Sequence, residues 1–226
     1  TDPNLIKSAK KIDKISYEEM LEMASLGAKI MQPASIQEAR LNRIEIDVRS
    51  TFSKKIGTTI TRKKNIISKN TIRGISFTKN DSKITLIGVK DKPGVAASIF
   101  KPLYENSVNV DMVVQNISAN SKETDLTFTI KLEDLSKTRR ILENNNSIKF
   151  KKLLVNKNVS KVSIVGVGMI TTPGITYRMF KALAKEKINI EVISTSEIKI
   201  SVLINKKNLK KSVEILHQEF KLSNNL

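Results

Sequence analysis

Residues 84–113 read ITLIGVKDKPGVAASIFKPLYENSVNVDMV, and residues 162–193 read VSIVGVGMITTPGITYRMFKALAKEKINIEVI. The second stretch repeats the first. Gly88 matches Gly166, and Pro93-Gly94 matches Pro173-Gly174. Phe100, Leu103, Asn109, Val110 and Asp111 match Phe180, Leu183, Asn189, Ile190 and Glu191. The second copy carries a longer loop before its Pro-Gly turn. Two copies are too few for a solenoid and point to paired small domains. Each copy reads as strand, turn, helix, strand, strand, helix. In the first, Ile84–Lys90 is a strand, and Pro93 suits the first turn of a helix, where its missing N–H costs nothing. Ala97, Phe100, Leu103 and Tyr104 give that helix an apolar face. Val108–Ile117 and Leu126–Lys131 follow as strands, Leu135–Leu142 as a helix and Ile148–Val155 as a fourth strand. The pattern is βαββαβ, a ferredoxin-like sandwich of antiparallel sheet and helices.

The second copy has a strand at Val162–Val167, a helix through Glu186, strands at Ile188–Thr195 and Ile198–Ile204, and a helix carrying Leu209, Val213, Leu216 and Phe220. It lacks a fourth strand, and an open sheet edge is a liability. The unassigned strand Ile72–Thr78, upstream of the first copy, is expected to fill that edge. The fold expected is α/β (α+β), with two interlocked ferredoxin-like units at 79–156 and at 157–226 plus 72–78.

Residues 1–62 form a separate mixed segment, with 63–71 as a polar, basic linker. Ser16-Tyr17-Glu18-Glu19 has capping-box spacing. Met20, Met23, Ala24, Gly27 and Met31 share the face of the helix behind it, and Pro33 is expected to stop that helix. Ser35-Ile36-Gln37-Glu38 has the same box for a second, short helix. Ile44, Ile46 and Val48 alternate with charged residues as a half-buried strand.

The chain has 226 residues, a formal net charge of +18, one His and no Cys. No thiolate metal site, disulfide or Cys nucleophile is possible. One histidine excludes a multi-histidine metal site, and no metal site is expected. The lack of Cys fits a reducing compartment, and no apolar run could cross a membrane. The charge is carried by 32 Lys against 8 Arg, beside abundant Ile and Asn. Phosphate and base-edge readers favour the planar fork of Arg, so the charge reads as compositional bias on a solvated surface. No nucleic-acid partner is expected. An RNA-binding βαββαβ domain would also stack bases on exposed aromatics of its central strands, and those strands hold only Phe128.

Gly166-Val167-Gly168 lacks the third Gly and the acidic residue of a dinucleotide fingerprint. The turns Asp91–Gly94 and Thr171–Gly174 sit at strand-to-helix junctions. Two readings stand: a helix-entry turn only, or an anion site made by the helix-start N–H groups. Asn109 and Asn189 beside Asp111 and Glu191 on the neighbouring strands would let such a site hold a zwitterionic amino acid. His217 reads as a surface or boundary residue without a partner.

The stretch Lys14–Lys29 (KISYEEMLEMASLGAK), with Ile30-Met31-Gln32-Pro33, Val48-Arg49-Ser50 and Gly57-Thr58-Thr59-Ile60, resembles the aspartate kinase family. Asp91–Ala96, Asn109–Asn116 and Ile193–Glu197 resemble its paired ACT domains. The likeness covers essentially the whole chain. It implies the end of an amino-acid-kinase domain followed by two ACT domains, in a cytoplasmic enzyme that phosphorylates L-aspartate with Mg2+-ATP to open Lys, Thr, Met and Ile synthesis. It implies nucleotide contacts at Thr1, Asp2, Lys29 and Ile30. Asn4 stands where the family's Thr-Asp-Pro is followed by Arg, and Gln32 where many members have His. The family's N-terminal glycine motif and aspartate-binding loops have no counterpart in these residues. No catalytic residue is therefore expected here, and the chain alone is expected to be inactive. The resemblance also implies an amino-acid effector, Lys and/or Thr, and homo-oligomers formed through the ACT domains. Its effector contacts correspond to Asp91, Lys92, Pro93, Gly94, Val95, Ala96, Asn109, Val110, Asp111 and Gln115 in the first repeat. In the second they correspond to Ile175, Thr176, Asn189, Ile190, Thr195 and Ser196. The alternative within the family is a stand-alone regulatory subunit.

Overall fold

The computed structural model describes residues 1–28, 30–62, 71–117, 123–145 and 147–223. The expected linker, apart from Thr71, lies outside these residues, as does Lys29. The chain divides into two compact units. Unit 1 joins Thr1–Thr78 to Lys161–Leu226, and unit 2 is Lys79–Ser160.

Unit 2 is the first repeat. It contains most of β4 (Gly74–Lys90), then α3 (Val95–Glu105), β5 (Val110–Ile117), β6 (Glu123–Lys131), α4 (Leu135–Asn144) and the first part of β7 (Lys152–Val165). Its strand order is β5-β6-β4-β7, the ferredoxin-like order for βαββαβ. Ile84 and Leu86 of β4, Leu126, Phe128 and Ile130 of β6, Ile99 and Leu103 of α3, and Leu135 and Leu142 of α4 form one core. Phe100 meets Phe128 edge to face, with ring centroids 5.3 Å apart. The apolar face of α3 is thus centred on Ile99 and Leu103. Ala97 and Tyr104, expected on that face, are exposed. Tyr104 is 82% exposed, although Leu103 beside it is fully buried. Pro93 lies just outside α3, whose N-cap is Gly94.

In unit 1 the second repeat holds the end of β7, α5 (Ile175–Lys185), β8 (Ile190–Thr195), β9 (Lys199–Asn205) and α6 (Leu209–Glu219). The start of β4 completes it, giving the order β4-β7-β9-β8. The Arg73 N–H donates to Val165 O at 2.8 Å at that edge. The chain before the first repeat therefore supplies the strand that the second repeat lacks. Sequence patterning led us to expect four strands here. The structure has two long ones, because Ile72–Thr78 runs on into Ile84–Lys90, and Ile148–Val155 into Val162–Val167. Polar residues between them stay in the ladder: Asp81, Ser82 and Lys83 pair with Lys131, Ile130 and Thr129.

Residues 1–62 also belong to unit 1. β1 (Lys14–Ser16) pairs in parallel with β3 (Thr58–Thr61), and β2 (Ile46–Val48) pairs antiparallel to β3. The Ser16 capping box is realised at α1 (Tyr17–Ser25): the Glu19 N–H donates to Ser16 Oγ at 3.2 Å. Here α1 ends well before Pro33, with Leu26 as its C-cap, and Gly27 follows, whose φ of +107° and contact with the Phe77 carbonyl admit no side chain. Pro33 instead opens α2 (Pro33–Asn42), so Ser35 lies inside that helix and its box does not form. The β2 strand is shorter than expected, leaving Ile44 exposed. Ile15, Tyr17, Met20, Met23, Ile36 and Ile60 pack together, and Val165 of the second repeat joins them.

Candidate functional site

The end of β4 and the start of α3 enclose the candidate site. Gly88, at φ +69°, sits in a bulge of β4. Its N–H donates to Asp125 Oδ1 at 3.0 Å, and the ladder resumes beyond the bulge with Val89 opposite Thr124 and Lys90 opposite Glu123. Asp91–Gly94 then make the turn, with Gly94 at φ +88° and open space where a Cβ would stand. A left-handed residue is strained unless it is Gly, so the turn requires this residue. Gly94 has no side chain to cap α3; the first-turn N–H groups have no intrahelical acceptor, and that of Val95 donates to Lys92 O at 3.3 Å. The start of α3 borders a pocket of about 520 Å³ lined by Val89–Ala96, Ile99, Gln115, Thr124 and Leu126. That volume suits a small molecule.

Chemically the pocket joins three kinds of group. The helix-start N–H groups favour an anion. The Asp91 carboxylate favours a cation, with Lys90 and Lys92 on the same rim. Gln115 Nε2 stands 3.5 Å from Asp91 Oδ1, the outer limit of a hydrogen bond, so its amide remains available. Val89, Ile99 and Leu126 supply an apolar wall.

Of the first-repeat positions, Asp91, Lys92, Pro93, Gly94, Val95, Ala96 and Gln115 line this pocket. Asn109, Val110 and Asp111 do not. They stand at the opposite end of β5, where Asp111 Oδ1 accepts from the Met112 N–H at 2.8 Å and the Asp111 carbonyl accepts from Thr129 Oγ1 at 2.9 Å. Reading the sequence missed Val89, Lys90, Ile99, Thr124 and Leu126. The usable signal was cross-strand register, since Leu126 pairs with Gln115.

The second-repeat positions lie in unit 1. Ile175 is buried at the start of α5, beside Thr176, which is exposed. Asn189 is exposed and Ile190 half-buried at the start of β8. Thr195 and Ser196 close the β8–β9 turn, with the Ser196 N–H donating to Lys199 O at 2.9 Å. The turn into α5 ends at Gly174 with φ +87°. The extra residues of this copy form a short 3-10 helix, Val167–Thr171.

Of the expected nucleotide positions, Thr1, Asp2 and Ile30 are among the described residues. Thr1 Oγ1 hydrogen-bonds His217 Nδ1 at 2.8 Å. Asp2 Oδ1 accepts from the Asn4 N–H. Ile30 is exposed. His217 is a correction: it is buried, not at the surface, and its Nε2 meets Ser223 Oγ at 2.9 Å. Burial lowers its pKa below the ordinary histidine value. Among the described residues, no cluster of three or more metal-ligating side chains could hold an ion, and no helix is long and apolar enough to cross a membrane.

Comparison with known proteins shows the family. The ACT domain family matches residues 84–145 and 162–220, and the amino acid kinase family matches residues 1–50. An aspartate kinase of Pseudomonas fluorescens is 43% identical over 98% of this chain and 54% of its own length. The aspartokinase of Helicobacter pylori is 42% identical, again over 98% of the chain and 55% of its own length. The chain thus spans about half the length of the curated relatives it matches. The solved structure of aspartokinase alpha and beta subunits is similar with 41% identity and a TM-score of 0.62, over 66% of this chain and 99% of that one. Clostridium acetobutylicum aspartate kinase is similar with 26% identity and a TM-score of 0.87, over 97% of this chain and 51% of that one. With ACT models covering both repeats and an aspartokinase subunit chain matched along nearly its whole length, this chain belongs to the aspartate kinase family and carries its paired ACT domains.

Proposed function

We propose that this chain is the amino-acid-sensing part of an aspartate kinase, joined to the end of its kinase domain. The complete enzyme transfers the γ-phosphoryl group of ATP, with Mg2+ as the nucleotide's counter-ion, to the β-carboxylate of L-aspartate. The product, 4-phospho-L-aspartate, opens Lys, Thr, Met and Ile synthesis. This chain contributes Thr1, Asp2, Lys29 and Ile30 to the nucleotide side of that reaction and senses an end-product amino acid in its ACT repeats. The enzyme works in the cytoplasm as a homo-oligomer associated through those repeats.

The observation that carries the sensing role is the pocket at Val89–Ala96. An α-carboxylate suits the uncapped start of α3, an α-ammonium suits Asp91, and a polar side chain such as that of Lys or Thr reaches Gln115. The second-repeat positions Ile175, Thr176, Asn189, Ile190, Thr195 and Ser196 complete the effector-binding set, with Asn109, Val110 and Asp111 supporting β5. The kinase-family match over residues 1–50 favours an enzyme over a stand-alone regulatory subunit.

The test is thermal unfolding of the chain with and without millimolar Lys, Thr, Met or Ile. A ligand bound only by the folded state stabilises it by RT ln(1+[L]/Kd). A rise in Tm with Lys or Thr, lost in Asp91→Ala, is the expected result. No rise with any of the four overturns the sensing role.

A further inference from the structure

Unit 1 buries two opposite charges that the pocket does not use. The side chains of Arg73 and Glu19 are 5% and 1% exposed, with Arg73 Nε 3.8 Å from Glu19 Oε2. Burying a charge pair is costly unless the remaining donors and acceptors are also satisfied. Here two other stretches, β1 and the segment after β7, bond the pair, while Arg73 Nε itself makes no hydrogen bond among the described residues. Ser16 donates to Glu19 Oε2 from its hydroxyl at 3.0 Å and from its N–H at 3.4 Å. The Arg73 guanidinium donates to the Lys14 carbonyl. The second carboxylate oxygen, Glu19 Oε1, accepts the Val167 N–H at 3.0 Å.

That last bond is the unusual one. A capping-box Glu needs only to reach back to its own N-cap N–H. Glu19 also binds a residue far along the chain, at the first position of the 3-10 helix that runs into Thr172-Pro173-Gly174. The surrounding backbone is seated tightly. A Cβ on Gly166 would lie 2.2 Å from Thr71 O, and one on Gly168 would lie 2.6 Å from Thr71 Cα. The hydroxyls of Thr71 and Thr172 are 3.4 Å apart. Nearby, Glu22 of α1 pairs with Lys199 of β9 at 3.0 Å. The start of α1 and the turn into α5 therefore share one buried carboxylate.

We propose that Glu19 is a positioning residue: its carboxylate is the joint through which the turn before α5 sets the placement of α1. Drawing Val167 away removes a bond from the group that caps α1, and displacing α1 removes an acceptor from the turn. The coupling is reciprocal. It rests on the proposed function only for its biological input, since that turn belongs to the second repeat's effector set. Its output is α1, which leads into the segment expected to touch nucleotide.

The variant that isolates the joint is Val167→Pro. It deletes the N–H that Glu19 Oε1 accepts and alters neither member of the Glu19–Arg73 pair nor the Ser16 box. A proline fits a first helical position, and Gly166, at φ 174° and ψ 130°, is extended as a residue before proline must be. Gly174→Ala then strains the turn from the other side. Amide hydrogen exchange is followed in α1 and in β9, with β9 reporting general opening of the unit. In the parent chain, Gly174→Ala is expected to speed exchange in α1 more than in β9. In the Val167→Pro background the excess should vanish. An equal excess in both backgrounds, or none in the parent, overturns the joint. If Val167→Pro does not fold, Glu19→Met/Arg73→Met, which removes the acceptor of the Val167 N–H and leaves no stranded charge, takes its place with the same criteria. Added L-lysine plus L-threonine at millimolar concentration should slow exchange at 172–176 and in α1 of the parent, but only at 172–176 of the variant. No slowing anywhere counts against amino-acid sensing, and the Gly174 comparison still decides the joint.

Discussion

The two repeats share one plan and differ in what covers the second face of the sheet. Their first helices begin at glycines with φ of +88° and +87°, and are followed by left-handed residues, Ser107 at +55° and Lys187 at +56°. Each carries a cross-strand hydroxyl pair, Thr85 with Thr127 at 3.0 Å and Ser163 with Ser201 at 2.7 Å. In unit 2 that pair is half-exposed, and so is Ile87 two residues on. In unit 1 the pair is buried, and Val165, the counterpart of Ile87, is packed among the side chains of α1 and β3. The same alternating pattern thus serves an open sheet in one place and a doubly covered one in the other. What differs is the neighbour that residues 1–62 bring to the second repeat. The proposed roles divide on this line: the open repeat keeps a pocket at its turn, and the covered repeat has its turn tied to α1.

The largest effect should come from the buried pair that belongs to the covered repeat alone. Arg73→Ala leaves Glu19 charged and unpaired and should cost about 3–5 kcal/mol in urea unfolding. A cost near that of an exposed pair would mean that the cover contributes nothing. Next come the matched core positions Leu103 and Leu183, both fully buried. Each Leu→Ala should cost about 2–5 kcal/mol, and closely similar values would show that the helix-covered faces are equivalent. The turn glycines follow. Gly94→Ala and Gly174→Ala each impose left-handed strain of about 1 kcal/mol, with no clash from the added methyl. A larger loss at Gly174 would sharpen the contrast between an open and a tethered turn.

The smallest effect is a pH dependence confined to unit 1. Burial holds the folded-state pKa of His217 below its ordinary value, so the unfolded chain takes up that proton first as pH falls. The contribution of His217 is complete above about pH 6.5, the unfolded histidine value. It is lost as pH falls from there toward the folded-state pKa. His217→Asn should flatten the difference in unfolding free energy between neutral and mildly acidic pH. An unchanged slope would show that the histidine charges as readily in the folded state.

Much of the architecture was legible because repeats carry their own control. The Pro-Gly turns, the helix faces around Leu103 and Leu183, and the missing fourth strand of the second copy all follow from aligning the chain with itself. Ile72–Thr78 could be assigned because an unpaired edge needs a partner. Its continuity with Ile84–Lys90 could not be read. Lys79–Lys83 is polar and resembles a turn, yet Asp81, Ser82 and Lys83 stay in register with β6. Tyr104 misled because a tyrosine scores as apolar whether its ring packs or faces solvent. Of the site, the contiguous Asp91–Ala96 was legible as a helix entry that recurs. The exclusion of Asn109–Asp111 from the pocket was not, because it depends on which end of β5 meets the turn.

Local chemistry in the sequence sufficed for the βαββαβ pattern, the glycines that must be left-handed, the Ser16–Glu19 cap and the family resemblance, since each depends on residues close in the chain or on a self-match. Only the tertiary structure decided where His217 and Glu19 spend their second bonds. His217 finds Thr1 from the opposite end of the chain, and Glu19 finds Val167 across much of it. Such partners leave no local pattern, because burial of a polar atom is a property of whatever packs against it.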